Sequence, residues 1–219
     1  MPSSTVENYL KAILRLQGDG RGSTTVGEIA RELEVTPGTV TIMMRHLRER
    51  GMVSYEPRRG LSLKPRGVAE AMKVVRRHRL IETFLVEAMG FDWSEVHEEA
   101  EILEHVISDR LLDRMDEMLG APTHDPHGDP IPDRDGVIAK NRSVSLLEAE
   151  AGRYRLVRVS DEDPALLGWL QEKGLRLGEE VVLADTNRAA GVLELSRRKG
   201  TAVQLGTGVA GQVFVEAVG

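Results

Sequence analysis

Two stretches decide how this chain is expected to fold. The longer one is His97-Glu98-Glu99-Ala100-Glu101-Ile102-Leu103-Glu104-His105, and the shorter one, which precedes it, is His78-Arg79-Leu80-Ile81-Glu82. Residues three and four apart share one face of a helix, so His78 and Glu82 pair on one predicted helix. A second predicted helix carries its polar groups in one arc, at His97, Glu101, Glu104 and His105. The pattern therefore predicts two adjacent helices with imidazole and carboxylate groups between them.

Such a cluster is either a metal site or a solvated acidic face. A solvated face is the better interpretation of a lone pair such as His78 and Glu82. However, both polar sets are interleaved with leucine, isoleucine and other core residues. Polar groups flanked by core residues need partners, and one divalent cation supplies a partner to all of them. The combined pattern favours a metal site.

Composition limits the remaining possibilities. A chain of 219 residues suggests two or three domains, and the absence of cysteine excludes disulfides and thiolate metal sites. No apolar run is long enough for a membrane span or a signal peptide, so a soluble cytoplasmic protein is expected. The charge is uneven: residues 1–75 hold 12 Lys and Arg against 8 Asp and Glu, whereas residues 76–140 hold 7 against 16. A basic start favours nucleic acid as a partner.

The first 50 residues carry three helix-start signals. Ser4-x-x-Glu7 and Thr25-x-x-Glu28 have the form of capping boxes, and Thr36-Pro37 has the form of an N-cap followed by the first helical residue. These signals predict helices over residues 5–17, from Thr25 to about Glu34, and from Pro37 to Arg50. Two short helices joined by about three residues are typical of a helix-turn-helix.

Two short strands are predicted after the third helix, over Met52–Glu56 and Leu61–Lys64, with a basic turn between them. The result is a winged helix-turn-helix in residues 1–72, for which a purely structural module is the alternative. The residues expected to face DNA are small, hydroxylated or basic, or lie at the hairpin tip. They are Thr36, Gly38, Thr39, Thr41, Ile42, Arg45, Arg58 and Arg59.

The rest of the chain divides into helices, a proline-rich segment and short strands. Residues 73–135 are predicted to be helical, with an apolar surplus that suits either a dimer interface or an internal core. Residues 121–136 form a linker that doubles as a ligand loop, with Asp125 and His127 as candidate ligands. Residues 141–219 hold six short strands and a helix over Pro164–Lys173, which predict a small β-barrel. The fold class is therefore mainly α plus small β.

Three motifs carry a family resemblance: Arg77-His78-Arg79-Leu80-x-Glu82, the His97 to His105 run, and Pro126-His127-Gly128-x-Pro130-Ile131-Pro132. With the winged helix, they resemble the metal-dependent repressors typified by diphtheria toxin repressor and the manganese transport regulators. The resemblance covers about the first 135 residues. The C-terminal portion is similar, more weakly, to the SH3-like, FeoA-like domain that some members append.

The resemblance implies a transcriptional repressor, not an enzyme, that binds double-stranded operator DNA as a homodimer when Mn(II) or Fe(II) is bound. The positions that match the family's helical ligands are His78, Glu82, His97, Glu101, Glu104 and His105. In the three-domain form, a second site is implied at Asp125 and His127, with Asp161 or Asp163. Glu101 stands where iron-type members have Cys, and an all-oxygen and nitrogen site suits Mn(II) or Fe(II), although Zn(II) or Co(II) can substitute.

The first predicted helix departs from the family pattern. Asn8 stands where the family usually supplies a Met or Asp ligand, and Lys11 stands where manganese-type members often have Glu. The Asn8 amide oxygen can coordinate, but it brings no charge. We also expect repulsion among the carboxylates of the acidic middle segment to loosen the packing until a metal cancels it.

Two other functions remain open at this stage. A metallohydrolase of the zincin type needs His-Glu-x-x-His on one helix, and Glu101 stands where the second histidine is required after His97. A winged-helix regulator that responds to an organic ligand leaves the histidine and glutamate cluster unexplained. Metal titration of DNA binding separates these alternatives.

Overall fold

The computed structural model describes residues 3–18, 22–56, 60–139, 142–160, 163–184, 191–197 and 202–218. The chain forms two compact units. The N-terminal unit comprises Met1–His78, Ile102–Leu112 and Pro132–Ile138, and the C-terminal unit comprises Arg79–Glu101, Asp113–Ile131 and Ala139–Gly219. No helix in the described ranges has the length and apolar character needed to cross a bilayer.

The N-terminal unit contains the predicted winged helix-turn-helix. Its elements are α1 (Ser4–Gln17), α2 (Val26–Glu32), α3 (Pro37–Glu49) and the antiparallel hairpin of β1 (Val53–Glu56) and β2 (Gly60–Leu63). Apolar side chains at helical spacing meet in one core, which includes the fully buried Leu10, Ile13, Ile29, Val40, Met44 and Leu47. The periodicity of these residues therefore places α1 and α2 against the inner face of α3.

Two of the three predicted caps are confirmed. Thr25 and Glu28 form both bonds of a capping box, and Thr36 Oγ1 accepts the Thr39 N–H at 3.2 Å at the start of α3. The cap predicted for α1 is wrong by one residue, because the Oγ of Ser3, not of Ser4, accepts the Val6 N–H. Glu7 is consequently not a capping residue, and its carboxylate is buried.

Three helices follow the wing: α4 (Pro65–Met89), α5 (Val96–Leu103) and α6 (Asp109–Met118). The prediction that Glu104 and His105 belong to the same helix as His97 is wrong, because α5 ends at Leu103. The Leu103 carbonyl accepts the N–H groups of Val106 and Ile107, which closes a turn. Glu104 and His105 lie in that turn.

The remaining elements build a sheet in the C-terminal unit. They are β3 (Val144–Ser145), β4 (Gly152–Val159), α7 (Pro164–Glu172), β5 (Glu180–Leu183), β6 (Val192–Arg197), β7 (Val203–Gly206), α8 (Thr207–Ala210) and β8 (Val213–Ala217). All pairs are antiparallel, in the order β3-β8-β4-β5-β6-β7. Alternate leucine and valine residues of the strands fill one core with the inner face of α7. The mainly α plus small β fold class is confirmed. Among the elements in the described ranges, α8 alone was not predicted, because it is too short to show a helical period.

The proline-rich segment after α6 is irregular, as predicted, but it is more tightly held than a linker. Asp125, His127 and Ile131 are buried. The Val159 N–H of β4 donates to the His127 carbonyl at 2.9 Å. Gly128 has a φ of +87°, and a Cβ there would lie 2.0 Å from the Val157 carbonyl oxygen. Glycine is therefore required where this loop meets β4.

Candidate metal centre and DNA-binding helix

The outer face of α3 is available to a ligand. Thr36, Gly38, Thr39 and Arg45 are exposed, and the Ile42 side chain is 70% exposed. Thr41, also predicted on this face, is half-buried, and its hydroxyl donates to the Pro37 carbonyl at 2.9 Å. An exposed isoleucine among hydroxyl and basic groups matches a surface that contacts base edges in a major groove. Arg58 and Arg59, predicted at the wing tip, lie outside the described residues.

A buried polar cluster in the N-terminal unit joins α1, α4 and the turn after α5. We call it the first cluster, and its members are Glu7, Lys11, Arg77, His78, Glu104 and His105. Two groups converge on one oxygen of the fully buried Glu104, since His78 Nδ1 lies 2.6 Å and Lys11 Nζ 2.8 Å from Glu104 Oε2. A carboxylate oxygen only accepts hydrogen bonds, so the proton of His78 is on Nδ1.

Glu7 orients His105 within the first cluster. The His105 Nδ1 donates to Glu7 Oε2 at 2.8 Å, while Arg77 donates to Glu7 Oε1 at 2.6 Å. This arrangement places the His105 proton on Nδ1 and leaves the lone pair on Nε2, which lies 3.5 Å from Glu104 Oε1. A carboxylate behind an imidazole is the usual support for a metal-bound histidine.

Besides the Tyr9 hydroxyl, three buried atoms of α1 and the turn have no hydrogen-bond partner within the described residues. They are Asn8 Oδ1, Glu104 Oε1 and His105 Nε2. Leaving buried acceptors unsatisfied costs about 1–3 kcal/mol each. A nitrogen and oxygen donor set of this kind fits Mn(II) or Fe(II), and a bound cation would satisfy atoms that the protein leaves without a partner.

The charges of the first cluster are already balanced. Glu7 pairs with Arg77, and Glu104 pairs with Lys11. The expectation that carboxylate repulsion loosens this part of the molecule is therefore wrong for the first cluster. Two cations from α1 and α4 occupy the positions where uncompensated negative charge was expected.

A second cluster lies in the C-terminal unit and joins α4, α5 and the proline-rich loop. His97 Nδ1 lies 3.4 Å from Glu82 Oε1, and His97 Nε2 lies 3.7 Å from Glu101 Oε1. On the other side of Glu82, its Oε2 lies 3.7 Å from His127 Nδ1. Glu82, Asp125 and His127 are buried, and each offers a donor atom within 4.8 Å of the others. Such spacing suits shared coordination of one ion.

Trp93 positions His127 in the second cluster. The His127 Nε2 donates to the Trp93 carbonyl at 2.7 Å, and the two rings stack with centroids 5.8 Å apart. The hydrogen bond places one ring proton on Nε2 and directs Nδ1 towards Glu82. Asp125 is also held, since its Oδ1 accepts the N–H groups of His127 and Asp129, each at 2.9 Å.

The second cluster holds protons at neutral pH. Burial lowers the pKa of His127, but the Glu82 carboxylate outweighs it, with smaller contributions from Asp125 and the Trp93 carbonyl, and raises that pKa to about 9. Burial, together with the charges of Asp129 and Glu82, raises the pKa of Asp125 to about 8. At pH 7 these protons provide positive charge that a divalent cation would replace.

The two aspartates predicted to complete the second site are not both described. Asp161 lies outside the described residues. Asp163 is the N-cap of α7, where its Oδ1 accepts the N–H groups of Ala165 at 2.9 Å and Leu166 at 3.2 Å. Within the described ranges it is not grouped with Glu82, Asp125 and His127. Its capping role alone accounts for an aspartate directly before Pro164.

Comparison with known proteins accounts for nearly the whole chain. Three family models match the chain. The iron-dependent repressor N-terminal DNA-binding domain matches residues 1–61, and the iron-dependent repressor metal-binding and dimerisation domain matches residues 64–133. The FeoA domain matches residues 144–217. The diphtheria toxin repressor of Corynebacterium efficiens is 34% identical over 188 residues, which cover 81% of each chain. The chain belongs to the iron-dependent repressor family.

Solved structures of related repressors share the whole fold. A manganese-dependent transcriptional repressor in complex with manganese superposes with a TM-score of 0.91 at 34% identity, covering 97% of this chain and all of the other. The repressor ScaR with bound Cd2+ superposes with a TM-score of 0.85 at 34% identity over 99% of this chain. The iron-dependent repressor family consists of DNA-binding regulators and not enzymes, so the metallohydrolase alternative is set aside.

Besides Arg77, which was quoted only within a family motif, three residues of this iron-dependent repressor were not recognised as part of the polar clusters from sequence. Glu7 was assigned to a cap, Lys11 was noted only as a departure from the family pattern, and Trp93 was not singled out. Glu7 and Lys11 are four residues apart on α1, the spacing of one helix face, and this was the available signal. Trp93 acts through its backbone carbonyl and its stacking, for which the sequence carries no signal.

Proposed function

We propose that this chain is a metal-dependent transcriptional repressor that binds operator DNA as a homodimer when Mn(II) or Fe(II) is bound. One observation carries the proposal. Buried nitrogen and oxygen atoms that find no hydrogen bond in the described part of the chain occur in the same compact unit as an exposed recognition helix. Zn(II) or Co(II) can substitute, because the donor set has no thiolate to discriminate among these ions.

α1 provides the connection between the metal and the DNA-binding surface. One side of α1 carries Glu7 and Asn8, and the other side carries Leu10 and Ile13, which pack in the core that holds α3. Asn8, Glu104 and His105 would hold the cation together, and their shared coordination would fix α1 and with it the placement of α3. Metal then favours the DNA-binding arrangement by its differential affinity for that arrangement.

We assign ligand roles to both clusters. In the first cluster Asn8, Glu104 and His105 would hold one ion, and His78 lies beside Glu104 Oε2, where a second ion would need it. In the second cluster the ligands are Glu82, His97, Glu101, Asp125 and His127. A divalent ion supplies concentrated positive charge and directional coordination bonds to these side chains. Glu7 and Trp93 are positioning residues that fix the tautomers of the two imidazoles.

The homodimer rests on the matched dimerisation domain and on exposed apolar side chains. Ile102 is 65%, Val106 75% and Leu111 50% exposed. Several exposed large apolar side chains within one short stretch of sequence are the kind of surface that suits an association site. We propose domain boundaries of 1–72 for DNA binding, 73–135 for metal binding and dimerisation, and 141–219 for the SH3-like domain. A cytoplasmic location follows from an operator DNA target.

The test begins by selecting DNA from a random duplex pool with the full chain in the presence of Mn(II). Affinity for the selected duplex is then measured with Mn(II) and with EDTA. We expect metal to tighten binding roughly 10- to 100-fold, a typical coupling between two sites. Equal affinity in Mn(II) and EDTA would refute the proposal, and a response to an organic ligand alone would favour the other class of regulator.

Variants of the first cluster connect this coupling to named residues. Glu104→Gln and His105→Ala should each abolish the metal effect on DNA affinity and weaken Mn(II) binding by at least tenfold, because each removes a ligand. His46→Ala is the matched control, since His46 lies on α3 outside both clusters. Its Mn(II) binding should equal that of the wild type.

A further inference from the structure

Lys11 places a fixed positive charge among the candidate metal ligands. Its Nζ lies 2.8 Å from Glu104 Oε2 and 3.1 Å from His78 Nδ1. The Lys11 side chain is only 21% exposed, and the Glu104 side chain is fully buried. The ammonium is therefore an ordered part of the first cluster, close to two of the residues that would bind metal.

The two oxygens of Glu104 have different environments. Oε2 accepts from both Lys11 and His78, whereas Oε1 has no hydrogen bond within the described residues and lies 3.5 Å from His105 Nε2. Only the Oε1 side is open to an incoming cation. On the Oε2 side, a cation would meet an ammonium at a distance where like charges repel strongly in a buried setting.

The charge balance of the first cluster supports the same conclusion. Arg77 and Lys11 already neutralise the two carboxylates, Glu7 and Glu104. One divalent ion therefore brings the cluster to a net positive charge, and a second would add two further charges with no additional carboxylate to offset them. A site that accepts two ions needs more negative charge than these residues supply.

We propose that Lys11 is a built-in cation that limits the first cluster to one divalent ion and weakens the binding of that ion. This inference rests on the function proposed above. The single ion uses the open atoms of Asn8, Glu104 and His105, and the ammonium of Lys11 holds the position of a second ion beside Glu104 Oε2 and His78. Lys11 thus determines both the metal stoichiometry and the affinity of the cluster.

Two substitutions separate these effects. Lys11→Met keeps the length and the apolar stem of the side chain but removes the charge, so the cluster should still bind one ion, at least tenfold more tightly. Lys11→Glu replaces the ammonium with a carboxylate, so the cluster should bind two ions. Lys11→Gln is a second neutral variant in case Lys11→Met unfolds. Lys73→Met is the matched control, because the Lys73 side chain is 62% exposed on α4 and pairs with Glu70 on the surface.

The measurement is the number of Mn(II) ions bound per protomer of the full chain without DNA, by equilibrium dialysis and elemental analysis. The second cluster is silenced throughout with His97→Gln, Asp125→Asn and His127→Gln, which together remove both of its imidazoles, and thermal unfolding without metal checks that each variant folds. We expect one ion with Lys11, one tighter ion with Lys11→Met or Lys11→Gln, two ions with Lys11→Glu, and no change with Lys73→Met.

Two results would overturn the inference: two ions per protomer with Lys11 intact, or unchanged affinity in both neutral variants. Failure of the proposed function has a different signature. In that case the wild-type chain, with both clusters intact, binds no Mn(II), or it binds Mn(II) without any change in DNA affinity.

Discussion

At the scale of single residues, Glu7 connects two side chains that are distant from it in the sequence. Its two oxygens satisfy two different groups, Arg77 and His105, and its side chain is 7% exposed. Removing one member of a buried charged pair costs about 3–5 kcal/mol, because the other charge is left unpaired. Glu7 therefore contributes to the stability of the N-terminal unit as well as to the orientation of a candidate ligand.

We predict that Glu7→Gln weakens Mn(II) binding by about 10- to 100-fold, the usual cost of losing the hydrogen-bond support of a metal ligand. A glutamine has one acceptor oxygen, so it cannot accept from both Arg77 and His105. Isothermal titration of Mn(II) measures the effect, and thermal unfolding reports any loss of stability. Glu34→Gln, an exposed change in the same unit, is the control. Wild-type affinity in Glu7→Gln would show that His105 needs no such support.

At the scale of elements, α3 depends on local signals at both ends. Thr36 and Pro37 start it, and Gly51, with a φ of +70°, follows its last turn. One face of α3 is fully buried at Val40, Met44 and Leu47, so the other face is free to contact DNA without loss of stability. Surface substitutions on that face should change stability by no more than about 0.5 kcal/mol.

Arg45→Ala should weaken binding to the selected duplex by about 1–3 kcal/mol if the guanidinium contacts a base edge. Its melting temperature should match that of the wild type, because Arg45 is exposed and no core contact is lost. Fluorescence anisotropy with labelled duplex measures the affinity. Arg153→Ala, on the exposed face of β4, is the matched control and should bind DNA normally. If both variants bind alike, α3 is not the recognition helix.

At the scale of the whole molecule, the second cluster connects folding to pH. The pKa of His127 is raised to about 9 and that of Asp125 to about 8. In both cases the folded chain holds a proton more tightly than the unfolded chain, so the folded chain carries more bound protons between pH 6.5 and 9. Unfolding free energy therefore falls as pH rises through this window.

We predict that the metal-free protein loses stability, on the order of a few kcal/mol, between pH 6.5 and 9, the size that pKa shifts of this kind imply. Saturating Mn(II) should remove most of this dependence, because the cation replaces the protons, and Mn(II) binding at pH 7 should release protons to the buffer. Chemical denaturation across this pH range and calorimetry in buffers of different ionisation enthalpy measure the two effects.

The control for this prediction is His124→Ala, an exposed histidine in the same loop, which should keep the wild-type pH profile. Asp125→Asn should flatten the profile, because its neutral amide takes the place of the protonated carboxyl group. A profile that is the same in Asp125→Asn and in the wild type would show that Asp125 is ionised throughout the range.

By itself, the sequence determined the elements that depend on local rules. Three kinds of signal located α2, α3, α4 and the six strands of the sheet. They are apolar residues three and four positions apart, helix starts of the form Thr-Pro or Thr-x-x-Glu, and alternating apolar residues in strands. Each of these signals acts within a few residues of sequence. Motif spacing also identified the histidines and glutamates of both clusters except Glu7, and the family to which the chain belongs.

Tertiary structure alone decided how the polar residues are paired. Glu7 lies at the end of the Ser4-x-x-Glu7 motif, which has the form of a capping box, yet its partners Arg77 and His105 are 70 and 98 positions away. Lys11 likewise pairs with Glu104, which is 93 positions away. Local periodicity placed Glu104 and His105 on a continuous α5, but the chain turns at Leu103. The physical reason is that a buried charge must be paired wherever its partner lies in the chain, and this requirement outweighs the small energies that set a helix end or a cap.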